Sequence, residues 1–245
     1  MDISIVIPAL NEAHKIGRDV MSAAAFFADN GLTGEVIVVD DGSTDGTAEA
    51  AWRADPGPEV RRLILRLEKN AGKGAAVRRG VLESRGEIVI YADSGVCIPY
   101  ANALPVIARI RAGDLDAGLA SRRLEETVIV RGQPRGRRVV SRLFHWAAVR
   151  VAGLPRWITD SQCGFKVWRG EAARSVFAGL VTTGFLFELE VIHRALRRGL
   201  RLEEFPVEWT CDLDTRLRAS ADGAAVVREL LRVRSLAKKN QGGTP

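Results

Sequence analysis

The feature that most constrains this chain is a strand that stops on an acid. Glu87-Ile88-Val89-Ile90-Tyr91-Ala92 runs into Asp93-Ser94-Gly95-Val96-Cys97-Ile98-Pro99. The β-branched, uncharged run reads as a buried strand. In open α/β sheets, ligands bind just beyond the carboxyl ends of the strands. Asp93 is therefore expected at the mouth of a site, with Ser94 and Gly95 beside it. A plain Asp-Ser-Gly turn closing an ordinary strand would look the same, so the other strand ends decide.

They carry matching chemistry. Ile3, Ile5 and Ile7 alternate into Pro8, which has no N–H and is expected to end the ladder. Leu10, Asn11 and Glu12 follow, with Asn11 as the expected N-cap of a helix from Glu12 to Asn30 that stops at Gly31. Val36 to Val39 is unbroken apolar and ends at Asp40-Asp41-Gly42-Ser43-Thr44-Asp45. Two adjacent acids at a strand end need donors or a cation, and an Asp there suits a base N–H or a ribose hydroxyl. Part of the 43–45 run also suits the start of a helix through Trp52. A strand from Arg61 to Arg66 leads to Lys69-Asn70-Ala71-Gly72-Lys73-Gly74, where glycines permit close backbone approach to a phosphate and Lys73 supplies charge. A helix from Ala75 to Ser84 completes a strand–helix alternation, the pattern of a doubly wound nucleotide-binding half.

Further on, Leu104 to Ala112 reads as a helix and Asp116 to Ser121 as a strand ending in Arg122, a residue suited to bidentate contact with phosphate. Thr127 to Arg138, with Gly132, Pro134 and Gly136, reads as a mobile loop. A basic amphipathic helix is expected over 139–153, where Arg138, Arg142 and Arg150 flank an apolar stripe; it suits either core packing or an anionic membrane surface. Thr159-Asp160-Ser161-Gln162-Cys163-Gly164-Phe165-Lys166 offers Asp160 as a general base or as an orienter of a sugar hydroxyl. A helix beginning near Thr183 and ending near Arg198, a late strand from Leu202 to Trp209, a basic helix over 223–238 and a disordered tail over 239–245 complete the reading.

Composition narrows the partners. Net charge is +6, yet aromatic residues are only 6% and no nucleic-acid module is visible, so nucleic acid is not an expected partner. The three cysteines are far apart and lack metal-ligand spacing, which suits free thiols in a reducing compartment. No apolar run approaches the roughly 18 residues of a spanning helix, and the N-terminus lacks the marks of a signal peptide. The expectation is a cytoplasmic protein, peripheral on the inner face of a membrane if its acceptor is a lipid.

Ile-Val-Ile-Pro-Ala-Leu-Asn-Glu (5–12), Val-Val-Asp-Asp-Gly-Ser-Thr-Asp-Gly-Thr (38–47), Asn-Ala-Gly-Lys-Gly (70–74) and Tyr-Ala-Asp (91–93) fall in order, and together they resemble the inverting glycosyltransferases of GT-A fold. Ala-Ser-Arg (120–122), Thr-Asp-Ser-Gln-Cys-Gly-Phe-Lys (159–166), Gly-Phe-Leu-Phe-Glu-Leu-Glu (184–190) and Val-Glu-Trp-Thr (207–210) with Arg216 resemble those that use polyprenyl phosphates, of the dolichyl-phosphate β-glucosyltransferase and dolichyl-phosphate mannose synthase type.

The resemblance implies an α/β Rossmann-like sandwich as one domain over 1–238, donor side first (1–100) and acceptor side after (101–238). It implies hexose transfer with inversion, from UDP-glucose or GDP-mannose, onto a polyprenyl or dolichyl phosphate. Pro8, Leu10, Asn11, Glu12, Asp40, Asp41, Lys73, Asp93, Ser94, Gly95 and Arg122 then belong to the nucleotide-sugar site. Asp93, Asp160, Arg122 and Arg216 belong to catalysis, and Arg138, Arg142, Gln162 and Lys166 to the acceptor side. Asp93 also falls on the first acid of the family's Asp-X-Asp motif, which holds Mg2+ or Mn2+. The second acid is Gly95 here, a glutamine two places on in the mannose synthases is Cys97, and Leu10 replaces the usual tyrosine. Those departures leave open a metal held by Asp93 alone, its replacement by basic residues, or a protein that binds the donor without turnover. A soluble hydroxyl acceptor is the other open reading.

Overall fold

The computed structural model describes residues 1–132, 153–212, 229–231 and 233–235. The chain begins β1 (Ile3–Ala9), α1 (Ile16–Asp29), β2 (Gly34–Asp40), α2 (Thr47–Arg53), β3 (Val60–Arg66), α3 (Lys73–Glu83) and β4 (Ile88–Ala92). It continues through α4 (Leu104–Arg111), β5 (Ala117–Ser121), β6 (Val128–Arg131), β7 (Phe165–Arg169), α5 (Gly170–Ala178), α6 (Phe187–Arg197), β8 (Leu202–Pro206) and β9 (Glu208–Thr210). Seven strands form one sheet in the order β3-β2-β1-β4-β7-β5-β8, and β6 pairs with β9 apart from it. All neighbours in the large sheet are parallel except β7, which runs antiparallel between β4 and β5. This is the mainly parallel α/β sandwich expected from the alternating pattern.

The unbroken apolar runs sit where both faces are covered. Every residue of β2 and β4 is buried, whereas edge strand β3 is only partly so. One core lies between the sheet and α1, α2 and α4, and includes Ile16, Val20, Phe27, Ala51 and Ile107. The other lies under α3, α5 and α6, and includes Val77, Val81, Val176, Phe177 and Phe187. Phe177 is the hub of the second core. Its ring meets Tyr91 edge-on at 5.9 Å, Trp168 edge-on at 6.2 Å and Phe187 at 6.4 Å. Tyr91 lies two residues before Asp93, and Phe187 adjoins Glu188, so this packing sets the floor of the site described below.

Several sequence expectations are corrected. Pro8 does not end β1: pairing to β4 stops at Val6, but pairing to β2 runs on through Pro8 to Ala9. Asn11 does not cap α1. It adopts φ 52°, and its Oδ1 accepts a 2.8 Å bond from the Thr44 N–H, so the helix starts only at Ile16. Residues 128–131, expected as loop, form β6. The expected strand from Leu202 to Trp209 breaks after Pro206, so β8 stays in the large sheet and β9 crosses to β6. Strand β7 and helix α5 were not foreseen. The expected helices over 139–153 and 223–238 fall largely, and the tail wholly, outside the described residues.

Deleting the hub ring tests this packing: Phe177→Ala is expected to cost about 3–5 kcal/mol in urea denaturation, and a loss below about 1 kcal/mol would contradict it.

Candidate active site

The carboxyl tips of β1, β2, β4 and β5 point to one edge of the sheet. Because β7 is antiparallel, with Ala92 opposite Phe165, the segment 160–164 that enters it reaches the same edge. The sheet thus gathers Asp40, Asp93, Arg122 and Asp160 from four separate stretches of chain.

On the nucleotide side, Asp40 is fully buried. Its Oδ1 accepts from the Ser43 N–H at 2.8 Å, while Oδ2 has no hydrogen bond and only Arg66 Nε at 3.6 Å. An unsatisfied buried carboxylate oxygen suits a donor on a ligand. Asp41 has a different task from the one expected. Its oxygens accept from the Ala71 and Gly72 N–H groups at 2.7 and 3.0 Å, so it fixes the glycine loop that presents Lys73. Burial raises its pKa, against those two bonds. The Asn11 N–H donates to Ser43 Oγ at 2.7 Å, and the Glu12 N–H to Thr47 Oγ1 at 2.8 Å, tying the β1 and β2 loops together.

At the centre, Lys73 Nζ stands 2.6 Å from Asp93 Oδ1 and 5.9 Å over the Phe187 ring. Lys73 opens α3, whose first turn holds no acid. A cation at the positive pole of a helix is unfavourable, so this placement is set by the anions around it. Burial would lower the Lys73 pKa, but Asp93 and then Glu188 outweigh it and raise it. The Asp93 carboxylate lies against Gly164, where an added Cβ would fall 2.0 Å from its Oδ2. Only glycine leaves room there.

Ser94 and Gly95 face away from this pair. Ser94 Oγ donates to Asp19 Oδ2 at 2.6 Å, and the Gly95 N–H donates to both Asp19 oxygens at 3.0 Å. α1 thus holds the Ser94 hydroxyl and the Gly95 N–H. Burial raises the Asp19 pKa. Gly95 takes φ +108°, and a Cβ there would meet Asp212 Oδ2 at 2.9 Å. Lys15 Nζ pairs with that same oxygen at 2.5 Å and with Glu12 at 2.8 Å.

On the acceptor side, Arg122 grips Asp160 with both ends of its guanidinium, Nε at 2.6 Å and Nη2 at 2.8 Å, 5.5 Å over the Trp209 ring. Burial would raise the Asp160 pKa, but these bonds and the Arg122 charge hold it down at about 2. Asp160 is thereby a poor proton acceptor while clamped, which favours the reading of it as an orienter of a sugar hydroxyl over that of a general base. Glu204 fixes the segment by accepting from the Thr159 and Asp160 N–H groups at 2.9 and 2.8 Å. Ser161 Oγ and Gln162 Nε2 are buried without hydrogen-bond partners. Lys166 is fully buried, bonded to the Cys163 carbonyl and 3.7 Å from Glu188 Oε1. Tyr91 Oη also donates to Glu188, at 3.2 Å. Pro8 and Leu10 sit at the β1 tip. Arg138, Arg142 and Arg216 lie outside the described residues.

Lys15, Asp19, Asp212, Glu188 and Glu204 were missed as site residues. Asp19 left a signal: it interrupts the apolar stripe Ile16, Val20, Ala23, Phe27 of α1, where an acid needs a reason. Glu188 lay inside a quoted motif but shows no partner in sequence.

A divalent cation wants several hard oxygen ligands. Beside Asp93, Gly95 supplies no side-chain oxygen. Burial, then the Asp93 and Asp212 charges, push the Cys97 thiol up to about 12, so it stays protonated. Lys73 holds Asp93 itself. Among the described residues, no group of three His, Cys, Asp or Glu could hold a metal ion. Among the described residues, the donor set beside Asp93 does not fit Mg2+ or Mn2+.

A mainly parallel sheet with charged strand tips over a buried aromatic floor has the GT-A architecture of nucleotide-sugar transferases. The chain belongs to glycosyl transferase family 2, whose profile matches residues 4–177. It is 29% identical over 252 residues to the dolichyl-phosphate beta-glucosyltransferase of Saccharomyces cerevisiae, covering 95% of this chain and 74% of that one. It is 31% identical over 236 residues to the glycosyltransferase AglD of Haloferax volcanii, covering 95% of this chain but 37% of that one. In fold it is similar to the glucosyl-3-phosphoglycerate synthase of Mycobacterium tuberculosis, solved with Mn2+, UDP and glucosyl-3-phosphoglycerate. The TM-score is 0.68 and the identity 22%, over 96% of this chain and 80% of that one.

The Asp160 carboxyl is depressed from an ordinary value of 3.8, so its ion pair stabilises the fold fully above that pH and loses this contribution as pH falls through about 2. Relative to Asp160→Asn, the native chain is expected to keep an advantage of order 2 kcal/mol down to about pH 4. Urea midpoints at stepped pH check this, and an advantage already gone near pH 5 would contradict it.

Proposed function

We propose that this chain moves a hexose, with inversion, from a nucleoside-diphosphate sugar to a polyprenyl phosphate of the dolichyl kind. The yeast relative carries that activity in its name, with glucose as the sugar. UDP-glucose is accordingly the expected donor and GDP-mannose the one to test against it. Residues 1–100 supply the donor side and 101–238 the acceptor side.

One observation carries the choice of acceptor: Asp160, the acid on the acceptor side, is not placed to take a proton from a hydroxyl. Arg122 clamps it with two bonds and holds its pKa at about 2. Activating a hydroxyl needs a base with a pKa nearer the working pH. A phosphate monoester needs none, since its second pKa is about 6 and it is already an anion. Its oxygen attacks the anomeric carbon from the face opposite the leaving group. The C1–O bond to the nucleoside diphosphate breaks, and configuration inverts. The charge that grows on the leaving diphosphate is met by Arg122 and Lys73, and stabilisation that strengthens as the bond breaks is what raises the rate.

Asp40, with its free Oδ2, receives the nucleoside. Ser161 and Gln162, with polar atoms buried and unsatisfied, line the approach to the sugar and acceptor. Arg216 joins the diphosphate contacts and Arg138 and Arg142 the lipid phosphate. The acceptor's tail places the reaction at a membrane surface, on the cytoplasmic face where nucleotide-sugars are supplied. Among the described residues no helix is long and apolar enough to cross a membrane. The family's Mg2+ or Mn2+ would have Asp93 as its ligand here. That donor set does not fit, and no step is drawn through a metal.

With UDP-glucose and a polyprenyl phosphate, transfer is expected to rise with pH through the acceptor's pKa of about 6 and then stay flat. Asp160→Asn, which loosens Arg122, is expected to slow kcat/KM by about 10–100-fold without abolishing it. Complete loss with normal donor binding would mean that Asp160 is the base for a hydroxyl acceptor.

A further inference from the structure

The centre of the site holds alternating charges: Asp93, Lys73, Glu188, Lys166, Asp160 and Arg122. Each is linked to the next by an ion pair or by the shift it imposes. In this row the position against Asp93 that a divalent cation would need is filled by a lysine. From it we infer that Lys73 is the built-in counter-charge for the donor's diphosphate. Nucleoside-diphosphate binding by this chain is then independent of divalent cations. The inference rests on the nucleotide-sugar reading above.

Three independent observations support it. First, Lys73 Nζ sits 2.6 Å from Asp93 Oδ1 on a pair that is not sealed: the Lys73 side chain is 19% exposed and that of Asp93 43%. The ammonium is therefore at the mouth, able to exchange its carboxylate for a phosphate oxygen. Second, Lys73 is held in place: Asp41 pins the loop before it, and its Nζ lies 5.9 Å over the Phe187 ring.

Third, what stands around Asp93 is built against a metal. Gly95 cannot simply be exchanged for an acid, because it has φ +108°, a conformation that side chains rarely adopt, and its neighbour there is the Asp212 carboxylate. That second carboxylate arrives with its own cation, Lys15 at 2.5 Å. Cys97 brings a thiol with its pKa pushed up to about 12. Each loop carboxylate thus has a lysine where a shared ion would otherwise bridge it to phosphate. An ammonium brings one charge rather than two; the second comes from Arg122, whose guanidinium has N–H donors left for a phosphate while Nε and Nη2 hold Asp160.

The test is calorimetric binding of UDP and of GDP to the whole chain, with EDTA and with excess Mg2+ or Mn2+. The same Kd for the bound nucleotide in both conditions is expected. Lys73→Met keeps the aliphatic stem over Phe187 and is expected to weaken binding about tenfold in either buffer, with Lys73→Arg restoring most of it. A melting temperature matched to the native chain separates this from misfolding. Asp93→Asn supplies the opposite sign: freeing Lys73 of its competitor is expected to tighten binding, whereas loss of a metal ligand would weaken it. Affinity that appears only with Mn2+ or Mg2+, or an unaltered Kd in Lys73→Met, would overturn the inference and leave the transferase reading standing. Absence of binding to either nucleotide in every buffer would overturn that reading, and the inference with it.

Discussion

Charge neutralisation at the tip of an apolar sheet is the constraint on which the rest depends. Strands β2 and β4 are buried throughout, yet they end in acids that cannot be carried into such surroundings unpaired. Most of the acids at this edge are answered by a group from a distant part of the chain. Asp41 meets two loop N–H groups, Asp93 meets Lys73 and Asp160 meets Arg122, while Asp40 keeps an unbonded Oδ2 with Arg66 Nε at 3.6 Å. These pairs fix the loops around the site. They also leave it poised, because a ligand with its own negative charge can take over Lys73, while Glu188 and Lys166 beneath stay paired with each other.

Much of the frame was legible because burial on both faces of a strand leaves a plain trace. The runs Ile3 to Ile7, Val36 to Val39 and Ile88 to Ala92 admit little but central strands, and the polar residue that ends each run marks a loop at the ligand-binding edge. Strand β7 was not legible. Phe165-Lys166-Val167-Trp168-Arg169 carries two cations in five residues, which disguises a strand buried almost to its end. Lys166 is tolerated there only because Glu188 and the Cys163 carbonyl meet it, and no local pattern reveals those partners. Pro206 likewise hid the break that sends β9 away from the sheet.

The site followed the same rule. Types of residue at strand ends could be read, but the partner of each could not. Ser94 and Gly95 could be read as loop residues, but not that Asp19, an acid on the apolar face of α1, holds them. Asp160 could be read as a base or as an orienter of a sugar hydroxyl, and its two bonds to Arg122 favour the second. An edge with an exchangeable lysine and a clamped acceptor-side acid suits a diphosphate leaving group and an acceptor that is already an anion.

The central claim is that Lys73 trades Asp93 for the donor's diphosphate, while Arg122 adds the second positive charge without releasing Asp160. A crystal structure of this chain soaked with UDP-glucose tests it most directly. The account predicts diphosphate oxygens within hydrogen-bonding distance of Lys73 Nζ and the Arg122 guanidinium, with Asp40 Oδ2 accepting from the nucleoside. A nucleotide bound elsewhere, with the Lys73–Asp93 pair untouched, would contradict it.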